Sequence, residues 1–180
     1  MASSVTLKLK RTPGLYLVGF MACGKTTIGR AVADKLGWCF TDIDSEIESR
    51  EGKSIAEIFR AHGEAAFRDL ETAAIRSHVN RVEAGNPCVV ALGGGAFVQP
   101  RNWELIQNNG VAVWLDCTLD TIRSRLGDDT TRPLAVDRGS ALEALYQDRR
   151  SLYAKADYRI DVDTAEISEI VDKILRLPIF

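Results

Sequence analysis

A chain of 180 residues with 46% hydrophobic residues, 27% charged residues and a net charge of -2 has the composition of an ordinary globular protein, long enough for one real core. That balance excludes an overall nucleic-acid footprint, and no apolar stretch approaches membrane-spanning length or forms a signal-peptide pattern near the N-terminus. The four cysteines, Cys23, Cys39, Cys88 and Cys117, lie far apart without metal-ligand spacing, which reads as reduced thiols in a cytoplasmic protein.

At the N-terminus, Val5 to Arg11 alternates like a strand but carries a basic cluster and runs into Pro13-Gly14. Residues 1–13 are therefore expected to form a tail, and residues 14–180 a single domain. The apolar run Leu15-Tyr16-Leu17-Val18 then breaks into Gly19, followed by Gly24-Lys25-Thr26 at the spacing G-x-x-x-x-G-K-[ST] of a phosphate-binding P-loop. Glycines let the backbone curl so that its N–H groups point at phosphate oxygens, and the helix after the loop adds its partial positive charge. Ala22, Cys23, Gly24, Lys25, Thr26 and Thr27 are thus the candidate ATP-binding residues, with Lys25 reaching the β- and γ-phosphates and the Thr26 hydroxyl reaching Mg²⁺. Ile28, Ala31, Val32 and Leu36 at helical spacing supply the helix, and Gly37 ends it.

Trp38 to Thr41 reads as a second strand leading into Asp42-Ile43-Asp44. Residues two apart on a strand share a face, so both carboxylates are expected on one side at its C-terminal end, where open α/β sheets bind ligands. One would serve Mg²⁺ through water and the other accept a proton from a substrate hydroxyl; the alternative is that the pair simply caps the next segment, where Ser45 and Glu48 form a capping-box pattern. Ser54 and Glu57 form a second, and Gly63 separates a short helix from a long one carrying Phe67, Leu70, Ala74 and Val82. Arg68 lies beside that stripe, and spacing alone gives it no role. Cys88 to Leu92 is a strand of the doubly buried kind, ending in Gly93-Gly94-Gly95, where a ligand can come close to the backbone. Val111 to Leu115 ends in Asp116, the better formal match to a Walker B acid, so Asp42 and Asp116 compete for the Mg²⁺ role.

A helix from near Thr118 reaches Leu126, and residues 127–139, polar and punctuated by Pro133 and Gly139, are long enough for a mobile cover. Arg132 on that cover is the candidate for neutralising charge on a transferring phosphoryl group. Ser140 and Glu143 open a helix to about Tyr153, Tyr158 to Val162 is the last strand, and Ile167, Ile170, Val171 and Ile174 mark the final helix. Five strands alternating with helices predict an α/β fold, a parallel sheet covered on both faces. Right-handed crossovers then put the strand C-termini on one edge, so that P-loop, aspartates and triple glycine converge.

This ordered set resembles the shikimate kinase family: Gly19 to Arg30, Asp42-Ile43-Asp44, Phe67-Arg68, Gly93-Gly94-Gly95, Arg132-Pro133-Leu134, and Arg149 before Leu152-Tyr153. The resemblance implies a three-layer, nucleoside-monophosphate-kinase-like fold with strand order 2-3-1-4-5. It also implies transfer of the ATP γ-phosphoryl group to the 3-hydroxyl of shikimate, with Mg²⁺ and those two small molecules as partners; a monomer is expected because the sequence carries no coiled-coil or repeat pattern. By position, Asp44 would bind shikimate hydroxyls and act as base, helped by backbone at Gly93, Gly94 and Gly95. Arg68 and Arg149 would hold the carboxylate, Lys25 and Arg132 stabilise the transferring group, Arg125 lie by the adenine, and Asp42 assist Mg²⁺ in preference to Asp116. Helices over about 45–82 would carry the substrate and 127–139 the lid. Two features depart from the family pattern. Cys23 stands where Gly or Ser is common, suggesting an oxidisable thiol shielded by ATP. Arg150-Ser151 replaces a pattern with Pro, making Arg150 a competitor for the role of Arg149. A gluconate-type or nucleotide kinase, and a nucleotide-binding regulator without turnover, are the alternative readings.

Overall fold

The computed structural model describes residues 13–126, 140–163 and 165–179. Residues 1–12 of the expected tail, the lid with Arg132, and the Arg132-Pro133-Leu134 motif lie outside the described residues.

The chain runs β1 (Gly14–Val18), α1 (Lys25–Leu36), β2 (Cys39–Asp42), α2 (Ile43–Glu51), α3 (Ile55–Glu83), β3 (Cys88–Ala91) and α4 (Pro100–Asn109). It continues through β4 (Gly110–Asp116), α5 (Leu119–Leu126), α6 (Ser140–Tyr153), β5 (Tyr158–Asp161) and α7 (Ile167–Leu175). The five strands form one parallel sheet in the order β2-β3-β1-β4-β5, the order the resemblance implies. β1 and β3 are buried along their whole length, as continuous apolar runs in a parallel sheet should be. Right-handed crossovers in this order place α1 on one face and α3 and α4 on the other. Accordingly α1 packs with α7, and α3 packs with α2 and α4. Core side chains such as Leu17, Ile28, Ile75, Leu115 and Ile174 are sealed between the layers.

Two local expectations change. The strand period does not run on to Asp44: β2 stops at Asp42, which caps α2 by accepting hydrogen bonds from the Asp44 and Ser45 amides. Asp44 stands in the first turn of that helix, so the two carboxylates are brought together by a cap and not by a shared strand face. Glu48 does not close a box with Ser45; it accepts instead from the Ile55 amide, tying the end of α2 to the start of α3. By contrast, Ser54 and Glu57 form the reciprocal capping box, and Gly63 (φ 78°, ψ 173°) kinks α3 where the sequence places the break. Helix α4, with Pro100 in its first turn, has no counterpart in the sequence reading.

Candidate active site

The P-loop begins as β1 leaves the sheet. Gly19 (φ 144°) and Gly24 (φ 96°) adopt backbone that side chains rarely take, and a Cβ on Gly19 would fall 2.6 Å from the Leu115 carbonyl oxygen. Gly24 is the N-cap of α1, so the helix opens directly onto the loop. Lys25 curls over it, its Nζ donating to the Gly19 and Phe20 carbonyls at 3.0 and 2.8 Å. Cys23 sits beneath the loop, fully buried, with Sγ 3.8 Å from Lys25 Nζ. That corrects the expectation of a thiol shielded by nucleotide: the protein already sequesters it, and the loop offers phosphate its main chain.

A cleft of about 490 Å³ extends from this loop. Gly24, Lys25, Thr26, Asp42, Asp44 and Gly94 line one part, and Arg125 lies along another with Val162 and Ala165. Arg125 is fixed there by donating to the Ala22 and Val162 carbonyls. Thr26 Oγ1 donates to Asp42 Oδ2 at 2.5 Å. Asp116 is elsewhere engaged: both its carboxylate oxygens accept from Arg150, and Arg159 reaches the same carboxylate.

The triple glycine after β3 is where the remaining candidates meet. A Cβ on Gly93 would stand 2.6 Å from Asp44 Oδ1 and 2.8 Å from Glu71 Oε1. One on Gly94 would stand 3.2 Å from Arg149 Nη1, and one on Gly95 2.7 Å from Arg68 Nη2. The glycines therefore do more than leave room for a ligand: they let two carboxylates and two guanidinium groups from α2, α3 and α6 close on one stretch of backbone. Tyr153 Oη donates to the Gly94 carbonyl at 2.5 Å, and the Arg149 guanidinium lies over the Phe20 ring at 5.6 Å. The structure thus brings Lys25, Thr26, Asp42, Asp44, Arg68, Arg125, Arg149 and Gly93 to Gly95 to one rim of the sheet.

Glu71 is the residue that the sequence reading missed. It is 1% exposed, and its Oε2 accepts from Arg68 Nη1 at 2.6 Å while Oε1 has no hydrogen-bond partner among the described residues. On the other side of the guanidinium, Glu64, exposed at 65%, accepts from Nε and Nη2. The available signal was an acid on the buried stripe of α3 three residues after an arginine. His78, one helical stripe further on and also buried, faces Glu46 Oε2 at 2.6 Å and joins α3 to α2.

Burial pushes the Glu71 carboxyl up to about 7, with Asp44 adding to the rise and Arg68 and Arg149 opposing it. A carboxyl that keeps its proton in the folded chain after the unfolded chain has released it makes folding stability fall as pH rises between the two values. The wild-type melting temperature is therefore expected to drop relative to that of Glu71→Gln from pH 5 to pH 8, by the equivalent of a few kcal/mol. Melting curves of both proteins across that range check this; a gap that moves the other way contradicts it.

The family model for shikimate kinase matches residues 21–177. The chain belongs to the shikimate kinase family. Within it, the shikimate kinase of Persephonella marina is 41% identical over 161 residues, covering 89% of this chain and 96% of that one. That of Synechococcus elongatus is 42% identical over 158 residues, covering 87% and 80%. The solved shikimate kinase from Acinetobacter baumannii in complex with shikimate superposes with a TM-score of 0.84 at 36% identity, covering 92% of each chain. A gluconokinase from Sinorhizobium meliloti, at 18% identity and a TM-score of 0.54, shares the fold alone.

Proposed function

We propose that this protein transfers the γ-phosphoryl group of ATP to the 3-hydroxyl of shikimate, giving shikimate 3-phosphate and ADP. The observation that carries this reading is the convergence of Arg68, Arg149, Asp44 and Glu71 on Gly93-Gly94-Gly95, beside the Lys25 loop. Two guanidinium groups from different helices suit a planar carboxylate, and with Asp44 they would orient one hydroxyl of a small cyclic polyol acid toward the P-loop. Asp44 accepts that hydroxyl's proton as the phosphoryl group moves, while Lys25 and Arg132 offset charge on the transferring group. Exclusion of water matters because water competes for the same phosphoryl group.

Mg²⁺ fits the residues present. Among the described residues no group of three or more His, Cys, Asp or Glu side chains could hold a metal, and Mg²⁺ would keep phosphate and water ligands beside the protein's oxygens. The Thr26 hydroxyl would hold it directly and Asp42 through water, both being hard oxygen donors. When bound, the ion offsets negative charge on the phosphates. No helix among the described residues is long and apolar enough to cross a membrane. We assign the protein to the cytoplasm, as a monomer acting on small molecules; its four cysteines are all free thiols. A coupled ADP-release assay with shikimate, gluconate and nucleoside monophosphates tests the function. Release dependent on shikimate alone is expected, and its absence overturns the proposal.

A further inference from the structure

Arg149 and Arg150 are neighbours on α6, and consecutive residues on a helix project about 100° apart. Their side chains do not face each other, and the structure gives each a different set of contacts. Arg150 meets Asp116 at the end of β4 with two parallel hydrogen bonds, Nη1 to Oδ1 at 2.8 Å and Nη2 to Oδ2 at 2.9 Å. Its Nη1 also donates to Tyr146 Oη at 2.6 Å, and Tyr146 donates onward to the Cys117 carbonyl at 2.8 Å. Its guanidinium carbon lies over the Trp114 ring, 5.1 Å from the centroid. A forked pair to a nearly buried carboxylate, stacked on an indole, fixes the rotation of a helix as well as its distance from the sheet.

Rotation is what the next residues depend on. From the same helix Arg149 lies over Phe20 and against Gly94, and Tyr153, one turn further, reaches the Gly94 carbonyl. Phe20 in turn packs edge-on against Tyr146, so the P-loop, α6 and β4 are locked by one set of contacts. We propose that the Arg150–Asp116 pair sets the rotation of α6 and thereby delivers Arg149 to the substrate carboxylate. Arg150 is thus a positioning residue and not itself a carboxylate ligand. The proposal rests on reading Arg149 as a carboxylate ligand.

The test uses the full chain with Arg150→Gln, Arg150→Lys, Arg149→Gln and the double Arg149→Gln/Arg150→Gln. Arg150→Gln should fold, because Arg159 Nη2 still stands 2.6 Å from Asp116 Oδ2 and leaves no unpaired buried carboxylate; its melting curve checks this. Its KM for shikimate should rise about ten- to a hundredfold with the KM for ATP unchanged, and Arg150→Lys, which keeps the charge and loses the fork, should recover part of the loss. Because Arg150 acts through Arg149, the double variant should show the same shikimate KM as Arg149→Gln alone. An unchanged KM in Arg150→Gln beside a raised one in Arg149→Gln overturns this proposal only, as does a double variant in which the two losses multiply. A normal shikimate KM in Arg149→Gln overturns the reading of Arg149 and this proposal together.

Discussion

Asp44→Asn is expected to lower kcat by about two to four orders of magnitude and to raise the KM for shikimate, with the protein still folded. The side chain keeps its size, so the first turn of α2 and its contact with Gly93 persist. Its ability to take a proton is lost. Asp44 Oδ1 points at the glycine backbone where the acceptor is proposed to lie, and the Asp42 cap holds the turn that presents it. Steady-state kinetics at saturating ATP separate the two effects. A kcat equal to that of the wild type removes Asp44 as the base, whatever happens to KM.

The second large effect is at Arg68. Arg68→Met leaves Glu71 buried without its guanidinium partner, an uncompensated charge that costs about 3–5 kcal/mol in stability unless the carboxyl takes up a proton. The informative protein is therefore Arg68→Met/Glu71→Gln, in which neither group is charged and the fold is expected to survive. Its KM for shikimate should be about two orders of magnitude or more above the wild-type value, since a truncated buried charge pair loses about 2–5 kcal/mol of binding. The KM for ATP should stay near wild type because Arg68 stands at Gly95 and not at the P-loop. Equal shikimate affinity in the double variant would take Arg68 out of the site.

Much of the architecture was legible because period and punctuation agree with the tertiary fold. β1 and β3 are apolar on both faces, Gly37 and Gly63 break helices where they stand in the sequence, and Ser54 with Glu57 closes the cap it spells. Asp44 stands on a helix and not on the strand its spacing predicts, because a period of two says nothing about where a strand ends, and a residue that caps a helix looks the same as one that finishes a strand. Helix α4 escaped because its polar residues and opening Pro100 resemble a loop until Asn102 and Ile106 are seen to be buried. Glu71 was hidden for a different reason. A buried carboxylate gains its meaning from its partners, here Arg68 on its own helix with Asp44 on α2 and Arg149 on α6, and only Arg68 is near it in the chain. The choice between Arg149 and Arg150 also lay beyond the sequence, since it turns on the register that puts Asp116 under one of them.

The proposed hold of Arg68 on the acceptor's carboxylate, at the rim where phosphate would meet the P-loop, is probed by comparing kcat/KM for shikimate and its methyl ester in the wild type and in Arg68→Met/Glu71→Gln. Loss of the charged carboxylate should cost the wild type about a hundredfold and the double variant clearly less, because only Arg149 is left there to read the charge. An equal penalty in both proteins would mean that the carboxylate is bound somewhere else.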